Sequence, residues 1–140
     1  MGWRMIALGL LATGLGLVST PAVAAVKCDS LVARITPATR KADAERVVRL
    51  DPGQKIAPDG VELVMVEGPW RLVWASPENA ERGVYFLKRA GKAGWRLADT
   101  WGGVMPPDDR AKVLEWAQKL KGGGVSPRMA ECFVERLAVD

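Results

Sequence analysis

Asp99 is the residue whose setting first invites chemistry. It stands in an alternating apolar segment, Trp95-Arg96-Leu97-Ala98-Asp99-Thr100-Trp101. On a strand, period two places Trp95, Leu97, Asp99 and Trp101 on one face. A carboxylate on a buried face is disfavoured in its charged form, so it pairs with a cation or keeps its proton to higher pH. Arg71 and Arg96 are the candidate partners, although alternation puts Arg96 on the opposite face. Such an acid, with Arg71 and a tryptophan shaping its surroundings, would suit a small-molecule pocket or a weak hydrolase. The plainer alternative carries more weight: a strand-end aspartate before Gly102-Gly103 that reaches solvent or bonds the backbone of residues 100–103.

Tryptophan is the second signal. Trp70, Trp74, Trp95 and Trp101 fall within forty residues of one another. Flat rings with a polar N–H edge could form a platform for sugars or aromatic ligands. The chain has few other aromatics, so most of these rings are expected in the core, with Trp74 and Trp101 the candidates for a groove. The polar segment Ser76-Pro77-Glu78-Asn79-Ala80-Glu81-Arg82 supplies Glu78 and Arg82 as candidate contacts to a ligand or partner, and its Ser-Pro-Glu start is compatible with a helical turn. Glu78 and Glu81 are too solvated there to make a strong cation site. The candidate binding residues are therefore Asp99, Arg71, Trp74, Trp101, Glu78 and Arg82.

Catalytic, metal and cofactor chemistry find little support. The chain has no histidine, which excludes His acid–base catalysis, a Ser-His-Asp triad and a His metal site. Ser30, Ser76 and Ser126 lie outside any Gly-x-Ser-x-Gly elbow. Asp108 and Asp109 are adjacent, so they do not converge on a helix, and they suit its positive N-terminal end. No glycine pattern would cradle a phosphate. No catalytic residue, metal or cofactor is assigned.

The elements that must hold these side chains are a run of strands. VELVMV (61–66), WRLVWA (70–75), GVYFLK (83–88) and WRLADTW (95–101) are apolar and rich in β-branched and aromatic residues. Their connections are short and polar or contain Gly and Pro, which suits hairpins rather than helical crossovers. Trp70, Leu72 and Trp74 share one face; Arg71, Val73 and Ala75 share the other. The spacing predicts helices around this meander. Cys28, Leu31, Val32 and Ile35 fall at i, i+3, i+4 and i+7. Thr36-Pro37 caps a second helix, after which Arg46–Leu50 reads as a short strand ending at Asp51-Pro52-Gly53. Pro107 opens a helix with Val113, Trp116, Ala117 and Leu120 on one stripe, stopped by Gly122-Gly123-Gly124. Ser126 and Pro127 start the last helix, whose stripe is Met129, Cys132, Phe133 and Leu137.

Met1 to Ala24 has the three parts of a secretory signal peptide: Arg4, the apolar Met5 to Val18, and Ala22-Val23-Ala24 before the cut. Cleavage after Ala24 or Ala25 fits equally. The apolar run is too short and too interrupted to favour a spanning helix, so no stable membrane span is expected after cleavage. Cys28 and Cys132 remain near the two ends of the mature chain. In an oxidising compartment such a pair most simply forms one structural disulfide.

Hydrophobic residues make up 49% and charged residues 26% of the chain, a globular balance rather than a disordered one. The net charge of +4 is small and its signs are interspersed, which argues against nucleic acid. The segment Gly94-Trp95-Arg96-Leu97-Ala98-Asp99 resembles a strand of small cystatin-like and nuclear-transport-factor-like export domains, and no function is carried over from it. The expected architecture is one α+β domain over residues 25–140, after a signal peptide over 1–24. It is an antiparallel β-meander of about four strands, flanked by an N-terminal helix and two C-terminal helices that cover one sheet face, with one disulfide. The leading functional expectation is a small periplasmic or secreted non-catalytic binding protein, an inhibitor or envelope accessory factor, with an envelope protein or small ligand as partner. The pocket protein or weak hydrolase using Asp99 comes second, and a purely structural envelope protein third.

Overall fold

The computed structural model describes residues 27–138. The expected leader lies outside them. Four strands form one antiparallel sheet in sequence order: β1 (Val61–Glu67), β2 (Trp70–Ala75), β3 (Gly83–Arg89) and β4 (Trp95–Gly102). Helix α1 (Pro37–Leu50) precedes the sheet; α2 (Arg110–Gln118) and α3 (Pro127–Ala138) follow it. The meander is the arrangement expected from the short polar connections.

The helices do not share one face. Trp70, Leu72, Trp74, Val84 and Phe86 pack with Val113, Met129 and Phe133 of α2 and α3. On the reverse side Val64, Val73, Tyr85 and Leu87 pack with Ala44 and Val47 of α1. Apart from Arg71 and the last two residues of β3, these two central strands carry apolar residues or glycine toward both sides, which is why they are almost wholly buried. A sheet with one wet face would show polar residues at alternate positions.

Two local expectations are corrected. Cys28 to Ile35 is not an α-helix but a single 3-10 turn, Asp29–Leu31, followed by extended chain. Val32 bridges Met65, and the Ala33 N–H donates to the Val64 carbonyl at 2.8 Å. Leu31 joins the α2/α3 core while Ala33 and Ile35 reach the α1 core, so the segment passes around the sheet edge. Thr36 lies before Pro37, a position that disfavours helical ψ, and it is extended at φ −118°, ψ 164°. The second correction concerns Arg46–Leu50, which continues α1 rather than forming a strand. Helix α1 starts as expected: the Thr36 hydroxyl accepts from the Thr39 N–H at 3.2 Å, and the Thr36 N–H donates to the Thr39 hydroxyl at 2.8 Å.

The last helix also starts as its sequence dictates. The Ser126 hydroxyl accepts from the Met129 N–H at 3.0 Å. The triple glycine before it is tied to the sheet, since the Gly122 carbonyl accepts from Lys88 Nζ at 2.8 Å. A Cβ on Gly124 would stand 2.1 Å from the Gln118 backbone, so only glycine allows this approach. Cys28 and Cys132 are bonded, with Cα atoms 5.3 Å apart across a sequence separation of 104. The bond joins the N-terminal turn to α3 rather than helix to helix.

Tyr85, the single tyrosine of the chain, lies 2% exposed on the α1 side. Burial, and then the Asp51 carboxylate, push its phenol above the ordinary tyrosine pKa. The unfolded chain releases this proton near pH ~10, before the folded chain does. The corresponding stability is therefore present below that pH and is lost as pH rises toward the folded value. Absorbance in the phenolate band should show one transition, displaced to higher pH than free tyrosine, with the denaturation midpoint falling alongside. A transition at the ordinary value would contradict the burial.

Candidate functional site

The face under α2 and α3 is built around Phe133. Its ring lies 4.9 Å from Phe86, edge-on at 84°, and 6.0 Å from Trp74. Trp101 and Trp116 close the group, with their centroids 5.2 Å apart. Such edge-to-face and tilted contacts add to the stabilisation from burial alone. Trp74, at the end of β2, is 1% exposed, and Trp101, at the end of β4, is half-buried.

Where this aromatic layer reaches the end of the sheet it leaves a cavity of about 470 Å³. Trp74, Val84, Trp101 and Leu137 give it apolar walls, and Glu81 and Arg82 bring charge to it from the β2–β3 connection. The antiparallel order explains the meeting: β2 and β4 end where β3 begins, and α3 runs its last turn over the same end. The indole N–H groups of Trp74 and Trp101 are buried and have no acceptor among the described residues. An unanswered buried donor costs about 1–3 kcal/mol, and two such donors in residues lining one cavity call for an explanation.

Of the six residues singled out from sequence, Trp74, Trp101 and Arg82 come together here. The other three do not. Glu78 is exposed and lines a different hollow with Lys55 and Ile56, its N–H donating to the Lys55 carbonyl at 2.8 Å. Asp99 is exposed, and its Oδ1 accepts from the Thr100 N–H at 2.8 Å. The burial that a pocket acid required is absent. Asp99 lies on the edge strand, and a β-bulge parts it from Trp95 and Leu97: Phe86 pairs with Asp99 but Leu87 pairs with Leu97, leaving Ala98 as the extra residue. Strict alternation thus fails along β4. Trp95 and Leu97 face the α1 core, while Trp101 faces the α2/α3 core.

Arg71 belongs to the α1 side, and its partner is Asp43 rather than Asp99. Arg71 Nε donates to Asp43 Oδ1 at 2.7 Å and its terminal nitrogen to Oδ2 at 2.6 Å, a two-pronged pairing. Arg46 donates to the same carboxylate from one turn further along α1. Asp43 is 1% exposed and is the one buried charged residue among those described. Burial pushes the Arg46 guanidinium below its ordinary value; Asp43 opposes that shift and Arg71 adds to it. The Arg46 and Arg89 guanidinium carbons also lie 5.1 and 4.6 Å from the Trp95 ring centroid. This cluster docks α1 onto the sheet.

Sequence reasoning missed Asp43, which reads as one more charge in a charged helix. It also missed Val84, Val104 and Leu137 as cavity residues. Among the described residues no group of three metal-ligating side chains converges, and no helix is long and apolar enough to cross a membrane. Comparison of the chain with protein-family models, with curated proteins and with solved structures finds no match in any of the three.

Proposed function

We propose that this is an exported, non-catalytic binding protein whose site is the cavity between Trp74, Trp101 and Leu137, taking a small amphipathic ligand. The cavity carries the reading. Its volume of about 470 Å³ falls within the ~300–1,000 Å³ range of small-molecule sites. Its walls are aromatic and aliphatic, and its charged groups come from one connection, which is the usual division between affinity and orientation. Export is supported by the leader-like N-terminus and by a cysteine pair at bonding distance.

The test uses a neutral apolar fluorophore, N-phenyl-1-naphthylamine, excited through the tryptophans. One saturable equivalent should bind. Leu137→Trp, which fills the cavity from the half-exposed end of α3, should weaken binding by about tenfold or more. Its thermal midpoint should stay near that of the parent. Absence of saturable binding, or binding indifferent to Leu137→Trp in a folded variant, removes the reading.

A further inference from the structure

We infer, resting on the reading just given, that the cavity selects amphiphiles whose apolar body ends in a cationic head. The charge at its rim is the reason. Arg82 is already committed, its Nε lying 2.6 Å from Glu62 Oε2. Glu62 in turn accepts a hydrogen bond from Ser76 Oγ, which holds the pair at the base of the same connection. Glu81, exposed on the same cavity wall, meets no cation among the described residues. The positive group at the rim is compensated and one negative group is not. This runs against the whole chain, whose net charge is +4.

The walls favour the same sign. An ammonium group near an indole face is attracted by the ring quadrupole, and Trp101 presents a half-buried ring to the cavity. A carboxylate head would gain neither interaction. It would find Arg82 bound to Glu62 and would stand against Glu81. An apolar body between Trp74, Val84 and Leu137 with a cationic end toward Glu81 satisfies both parts of the site.

The experiment holds the tail constant and changes the head: octyltrimethylammonium, octanol and octanoate, titrated at low salt near neutral pH. Binding is followed by calorimetry and by tryptophan fluorescence. The cation should bind about fivefold more tightly than octanol and about tenfold or more above octanoate, as one carboxylate near the surface allows. Added salt should narrow the gap. Glu81→Gln should bring the cation-to-octanol ratio close to one. Glu78→Gln, a charge on the same connection but outside the cavity, should leave that ratio in place. Octanol binding with no preference for the cation overturns this inference alone and leaves the cavity reading standing. A preference that survives Glu81→Gln, or is lost equally in Glu78→Gln, also overturns it. If no member of the series binds, the cavity reading falls and this inference with it.

Discussion

Replacing Asp43 by alanine is expected to cost about 3–5 kcal/mol of folding stability, the range seen when one partner of a buried ion pair is removed. The loss does not come from the attraction alone. Arg71 reaches the α1 interface from the middle of the sheet and answers both oxygens of Asp43, while Arg46 answers from the helix. Without the carboxylate, two partly buried guanidiniums face each other with no anion between them. Asp43→Asn keeps the shape and an acceptor oxygen, yet leaves the positive charges uncompensated, so it should lie close to the alanine variant. The decisive comparison is the double replacement Asp43→Leu with Arg71→Met. It removes both charges in favour of apolar volume, and it should recover most of the loss, because a buried ion pair contributes little net stability against well-packed apolar residues. Urea denaturation followed by circular dichroism measures all three. A cost below about 1 kcal/mol for Asp43→Ala would mean the clamp is a surface pair in effect.

The elements legible from sequence were those whose pattern and connections agree. The four strands announced themselves through β-branched and aromatic runs and through connections too short for a crossover. The α3 stripe and its Ser126-Pro127 start were equally direct. The errors arose where one periodicity fitted two structures. Cys28, Leu31, Val32 and Ile35 have helical spacing, but the segment crosses the sheet edge, with Leu31 on one core and Ile35 on the other. Covering of both sheet faces was also readable in principle. Val73 and Ala75 opposite Leu72 and Trp74 are apolar on both sides of β2, and a second helical layer is what such a strand requires.

The site was half legible for a different reason. Trp74, Trp101 and Arg82 are neighbours of strand ends, and antiparallel order alone brings strand ends together. Asp99 was misplaced because apolar neighbours along a strand were read as one buried face, whereas β4 is the sheet's edge strand and the inserted Ala98 parts Asp99 from Trp95 and Leu97. Asp43 gave no signal at all. Its partner Arg71 lies 28 positions away, and nothing in α1 sets Asp43 apart from Glu45 until the helix meets the sheet. Leu137 likewise reads as the end of an apolar stripe, and only the placement of α3 over the strand ends makes it a cavity wall.

Removal of the Cys28–Cys132 bond is expected to cost about 2–5 kcal/mol, and chain-entropy arithmetic for a closed loop of 104 residues gives an upper figure near ~4.7 kcal/mol. Net stability of a domain this size is about 5–15 kcal/mol, so the bond accounts for a large fraction of it. In this view the effect acts on the unfolded chain, whose ends are released, rather than on native contacts. Arg128 still donates to the Lys27 carbonyl at 3.2 Å and holds the N-terminal turn against α3 without the sulfurs. The Cys28→Ala/Cys132→Ala variant should therefore keep the parent's near-ultraviolet tryptophan spectrum while unfolding at much lower denaturant. Its denaturant slope should rise, because an unbridged unfolded chain exposes more surface. Reductant should move the parent to the variant's midpoint and leave the variant unchanged. Equal midpoints for parent and variant, or reactive thiols in protein purified without reductant after export, would show that the pair is not bonded. A changed tryptophan spectrum would instead mean that the bond shapes the native packing of α3, and with it the Leu137 wall of the cavity.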